Sequence, residues 1–214
     1  MTKKTRPSFF IIRSICAALM ALGLGLSCAC TKEAPQKKAQ ERAVNPYSAE
    51  SVFEEVQAQL KKNPNDTDAL YHLADLYDRN SQYAEAIDTY KKVVALKPDM
   101  GYAYIKMGTA YDRLNKPAEA IAAFRTAERY LPKYPVLYNN MGIAYGRLGN
   151  SDNEIAALRK AILLRPTYST ARYNLGMAYL RKHDRQSALK EYEKLKGFDE
   201  GTAESLRKEI DHGK

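Results

Sequence analysis

Proline recurs at Pro64, Pro98, Pro132 and Pro166, 34 residues apart each time, and tyrosine recurs at Tyr77, Tyr111, Tyr145 and Tyr179 with the same spacing. A fixed period of this length restricts the chain to a repeat architecture. Each copy is one small unit that cannot bury its apolar face alone, so the copies stack into a shared core. The register holds around each tyrosine. Leu73-Ala74, Met107-Gly108, Met141-Gly142 and Leu175-Gly176 stand four and three residues before it. Ala86, Ala120, Glu154 and Ala188 follow nine residues after it, and Tyr90, Phe124, Leu158 and Tyr192 four residues later.

Inside one copy the apolar residues keep helical spacing: Leu70, Leu73 and Tyr77, a polar break at Asn80-Ser81, then Ile87, Tyr90, Val93 and Val94. The spacing predicts two helices and a tight turn per unit, and short turns make the helices antiparallel. Helix punctuation agrees: Pro135 opens the third unit, and Gly149, Ser151 and Glu154 read as a turn followed by a capping box. The small residues Ala74, Gly108, Gly142 and Gly176 let paired helices approach closely, with aromatic rings filling the space between.

The aromatic, Leu-Gly, Tyr, Ala, Phe, Pro order resembles the tetratricopeptide repeat. The resemblance covers 67–202 in four units, 67–100, 101–134, 135–168 and 169–202. It implies an all-α fold, a right-handed α-solenoid of about four helix-turn-helix repeats. An N-terminal capping helix is expected in 47–66, where Val52, Phe53, Val56 and Leu60 share a face. A C-terminal one is expected in 203–214, where Ala203, Leu206 and Ile210 do. Three positions depart from the pattern. Glu154 replaces the small residue at the helix crossing, which implies a looser third unit, Arg172 replaces the first aromatic, and Glu200 replaces the last proline.

Ahead of the repeats lies an address. Lys3, Lys4, Arg6 and Arg13 precede the uncharged run 14–26, the pattern of an export signal. Thirteen helical residues span about 20 Å, short of a bilayer core of about 30 Å. Of a net charge of +9, these four residues account for +4, and the remaining +5 is too dilute for a nucleic-acid face. The junction resembles a bacterial lipobox. That implies cleavage after 1–27 and acylation of Cys28, with Cys30 the alternative and release of a soluble secreted or periplasmic protein a third outcome. The polar stretch 28–46 reads as a tether. The resemblance places the protein in the bacterial envelope facing the periplasm, and Ala29 mildly favours the outer membrane.

Every cysteine lies at or before position 30, and His72, His183 and His212 are scattered, so the body offers no nucleophile, metal set or cofactor motif. Pairs such as Glu54-Glu55 and Glu191-Glu193 read as solvated helix faces. The expectation is therefore a scaffold rather than an enzyme, with no cofactor. By resemblance, the first helix of each unit lines a concave groove that takes a peptide or helix of a partner protein. The groove residues so implied are Tyr71, Asp75, Arg79, Tyr102, Lys106, Arg113, Asn139, Asn140, Arg147, Tyr173, Asn174 and Arg181. Asn suits a peptide backbone and Arg a carboxylate, so the set fits an extended acidic segment. The same residue types also serve turns and surface solvation. The partner would be another protein of an envelope complex, with the membrane reached through the N-terminal lipid. Alternatives are a self-assembling homo-oligomer, or a regulatory subunit of an envelope enzyme or of a pilus or secretion complex.

Overall fold

The computed structural model describes residues 49–212, which form helices joined by short turns. The signal run, Cys28, Cys30 and the tether lie outside the described residues. Among the described residues ten helices follow one another: α1 (Ala49–Lys62), α2 (Thr67–Arg79), α3 (Tyr83–Leu96), α4 (Gly101–Arg113), α5 (Pro117–Tyr130), α6 (Pro135–Arg147), α7 (Ser151–Leu164), α8 (Ser169–Arg181), α9 (Arg185–Lys196) and α10 (Glu200–His212). Pairs α2/α3, α4/α5, α6/α7 and α8/α9 are hairpins, and each packs on the next. The all-α solenoid of repeats is thus as the spacing predicts.

The hairpins close because one helix lacks side chains where its partner is bulky. A Cβ added at Gly108 would come within 2.5 Å of the Phe124 ring, and one at Gly142 within 2.6 Å of Leu158. Phe124, Leu158 and Tyr90 are essentially fully buried at equivalent places in three successive units. Tyr138 and Leu137 carry the core across the boundary from the second unit to the third. Each hairpin turn puts one residue in the left-handed region: Ser81 (φ 61°), Asn115 (56°), Gly149 (71°) and His183 (59°). These four stand 34 apart, so the period extends to backbone conformation.

Both ends are covered. Phe53 of α1 meets Tyr77 edge-on at 5.6 Å, and Val56 of the same helix is buried. Ala203, Leu206 and Ile210 of α10 are fully buried, Leu206 over Gly176. Asp199 starts α10 by accepting the Thr202 N–H at 3.0 Å.

Two local expectations need correction. Ser151 does not cap α7: Asn150 does, accepting from the Asn153 N–H, while Glu154 is buried at the helix crossing and is not free to complete a capping box. Glu191 is not solvated either. It is buried, 2.8 Å from Arg172 and 2.8 Å from Lys194, whereas Glu193 is exposed.

Candidate functional site

The first helices crowd together along one side of the stack: α6 approaches α8, and α4 approaches α6, across the intervening helix, while the second helices make no comparable approach. The side lined by α2, α4, α6 and α8 is therefore the inner face of the curve. The expected groove residues lie on these four helices.

Most of them are already engaged inside the protein, and the engagements repeat. The sixth residue of each unit reaches back to the unit before it. Lys106 Nζ lies 3.1 Å from Asp75 Oδ1. Asn140 Nδ2 donates to Thr109 Oγ1 at 3.3 Å, and Asn174 Nδ2 donates to Asn139 Oδ1 at 2.9 Å. In the third and fourth units the thirteenth residue does the same about two turns later. Arg147 Nη1 donates to the Asp112 carbonyl at 2.8 Å, with Nε 3.4 Å from the Asp112 carboxylate. Arg181 Nη2 donates to Glu154 Oε1. Lys106 and Arg113 stand near enough to Asp78 to lower its pKa, against a larger upward push from burial. Arg79, with no repeat before it, makes no ion pair among the described residues.

The groove floor is therefore a ladder with two rungs at each of the last two boundaries between repeats and one, Lys106 to Asp75, at the first. Asp75 also accepts the hydroxyl of buried Tyr90. Asn139 is itself buried and donates to Asn140 Oδ1, so it supports the groove rather than facing solvent. Tyr173 is partly buried in the last core cluster. Aromatic surface remains toward the first units. Tyr102 is 50 % exposed and meets Tyr134 edge-on at 5.4 Å. Tyr71 packs edge-on against Tyr90 at 5.7 Å, and burial first, then the Asp75 charge, pushes its pKa up to about 12.

The boundary between the third and fourth units differs. The twelfth residue is Asp78 in the first unit and Asp112 in the second, but Gly146 in the third. The carboxylate that Arg181 needs comes instead from Glu154 of α7, where the other units have Ala86, Ala120 and Ala188. A Cβ at Gly146 would sit 2.6 Å from Glu154 Oε1, so the glycine makes the room that the glutamate occupies. The crossing is filled rather than loosened, which corrects the expectation for this unit. Burial raises the Glu154 pKa, and Arg181 partly offsets the rise.

Among the described residues, no group of His, Cys, Asp and Glu is placed to hold a metal ion, and no described helix is long and apolar enough to cross a membrane. A family model described as "Tetratricopeptide repeat" matches residues 136–168 and again 169–201, and one described as "Anaphase-promoting complex, cyclosome, subunit 3" matches 47–127. The chain is built from tetratricopeptide repeats. No curated protein matches it. Among solved structures it is similar to MamA, at 26 % identity over 77 % of this chain and 91 % of that one, with a TM-score of 0.66. A thermophilic tetratricopeptide-repeat protein of Thermus thermophilus matches at 26 % over 77 % and 90 %, with a TM-score of 0.60. YrrB, described as having an unusual peptide-binding site, shares 18 % over 76 % and 93 % with a TM-score of 0.61, a likeness of fold.

Against the repeat pattern, the departure at Arg172 also resolves. In the third unit the Tyr138 hydroxyl donates to the Pro132 carbonyl at 2.8 Å and lies 3.1 Å from Glu128 Oε1. In the fourth, Arg172 donates Nε to the Pro166 carbonyl and Nη1 to Glu191. Arginine takes over the bond to the proline carbonyl, and pairs with a glutamate of its own unit where the tyrosine meets one of the unit before. Gly146 and Glu154 were not among the expected site residues. Their signal was present as a gap at the twelfth position and a charge at the twentieth of the same unit, which only make sense together.

Proposed function

We propose that this protein is a non-enzymatic adaptor of the bacterial envelope, held to a membrane by a lipid on Cys28 and binding a segment of a partner protein along its inner face. The observation that carries the reading is the division of labour on that face. One set of side chains ties successive repeats together, and a second set stays open: Tyr102, Arg113, and the outward edges of Arg147 and Arg181, whose side chains are 44 % and 48 % exposed. Aromatic and arginine side chains dominate interfaces between proteins, because they bring large contact area and several donors at modest entropic cost. The MamA and Thermus relatives are also repeat proteins of this build. The uncharged run 14–26 and the polar tether support export and a spaced anchor.

The test is affinity purification from crosslinked membranes. The native chain should retain a partner. Tyr102→Ala with Arg113→Gln, neither of which breaks a direct ion pair or sets a new carboxylate beside Asp78, should lose it while helicity stays unchanged. Cys28→Ala should move the protein out of the membrane fraction. A partner retained by the inner-face variant would contradict the groove reading, and membrane association of Cys28→Ala would contradict the anchor.

A further inference from the structure

We infer that the boundary between the third and fourth repeats holds a receptor cleft for a single carboxylate of the partner segment, read by Arg147 and Arg181. The inference rests on the groove reading and narrows it to one place and one chemical group.

The cleft exists because of the exchange at Gly146 and Glu154. With the counter-charge supplied from α7, the twelfth position of the inner face carries no side chain, and a recess of about 290 Å³ opens there. That lies at the lower end of ligand pockets and admits part of an extended chain rather than a folded surface. Its walls are Ile143 and Met177, apolar and suited to the methylenes or methyls of an incoming residue. The earlier units carry Asp75 and Thr109 where Ile143 stands, and both are spent on rungs of the ladder. Among the described residues, no other boundary combines a glycine at the twelfth position with two arginines.

The donors are held in advance. Arg147 is fixed from behind by Asp112, and Arg181 by Glu154. A guanidinium has five N–H donors, so each retains donors for a ligand after its rung is made. Fixing them beforehand removes much of the entropy an arginine loses on binding. Asn174 spends its amide on Asn139, which leaves Oδ1 to accept a backbone N–H of the bound segment. Glu154 is 2 % exposed and accepts from Arg181, so the arginine is anchored at the floor of the recess. Because Asp112 and Glu154 balance the two arginines, the cleft selects by directed, charge-assisted hydrogen bonds rather than by bulk positive charge.

The carboxylate has two sources, an acidic side chain or a chain terminus, and the probes separate them. The full chain in mild detergent is titrated by fluorescence anisotropy with labelled hexaglutamate blocked as a C-terminal amide, with hexaglutamine bearing a free C-terminus, and with amidated hexaglutamine. The two carboxylate-bearing classes are expected to bind, or the one whose source is used, and the amidated hexaglutamine is not. Arg147→Gln and Arg181→Gln should each weaken binding about tenfold, the worth of one hydrogen bond to a charged group. Glu154→Gln should tighten it, since the amide oxygen still holds Arg181 while the competing negative charge beneath is gone. If Arg181→Gln fails to fold, the pair Glu154→Gln/Arg181→Gln leaves neither charge alone and should still bind weakly. Equal binding of all three peptides, or affinity indifferent to Arg147 and Arg181, overturns the cleft. If affinity is indifferent to those arginines but falls with Tyr102→Ala, the groove reading stands and only the cleft is lost.

Discussion

At the scale of single residues, the third repeat shows a carboxylate moving between two positions while its partner arginine stays put. Asp112 and Glu154 start from different helices and end beside Arg147 and Arg181, the same rung of successive units. Gly146→Asp alone should be severely destabilising, because a Cβ there meets Glu154 Oε1 at 2.6 Å and a second carboxylate would be buried beside the first. Combining it with Glu154→Ala recreates the arrangement of the second repeat and should recover most of the loss. Urea unfolding of the four proteins in the cycle should give a coupling of about 1 to 3 kcal/mol. The pH dependence follows from burial. The Glu154 pKa is raised in the folded protein, so the folded state favours its protonated form; the associated stability is complete below the unfolded pKa and is lost as pH rises through the folded one. Glu154→Gln should therefore raise Tm at neutral pH and converge with the native protein in acid. A Tm gain that grows on acidification would contradict this sign.

At the scale of helices and turns, stability rests on hairpin closure. Phe124→Ala removes a ring that is 1 % exposed and packed on Gly108, and should cost about 3 to 5 kcal/mol in denaturant unfolding. Gly149→Ala leaves every contact in place, since nothing lies within 4 Å of the added Cβ, but forces alanine to a φ of 71°. A loss of about 1 to 2 kcal/mol is expected. The helices and turns were legible in the sequence because a repeated period reports packing four times over, so Tyr90, Phe124 and Leu158 could be placed from spacing alone. What was not legible depended on which of two local bonds wins. Glu154 satisfies a capping box by spacing, yet burial against Gly146 and the reach of Arg181 hold it elsewhere, and Asn150 takes the cap. Glu191 looks solvated in sequence until Arg172, a whole helix away, is seen to need it. The expected groove arginines lie on α2, α4, α6 and α8, but the internal partners of Arg147 and Arg181 come from the preceding repeat and no local pattern reveals them.

At the scale of the whole molecule, the inner face is glue and, in the proposed function, binding surface as well. The rungs Lys106 to Asp75, Asn174 to Asn139 and Arg181 to Glu154 hold consecutive repeats at a fixed spacing, while Tyr102, Arg113 and the recess beside Gly146 face outward from that frame. A partner segment bound as proposed would meet a rigid row of sites, which lowers the cost of ordering on binding. Placing a photoactivatable crosslinking residue at Tyr102 on the inner face, and separately at Ala122 on the exposed side of α5, measures this directly in membranes. The account predicts a discrete covalent adduct with another polypeptide from position 102 and none from position 122. Adducts formed equally from both positions, or from position 122 alone, would contradict it.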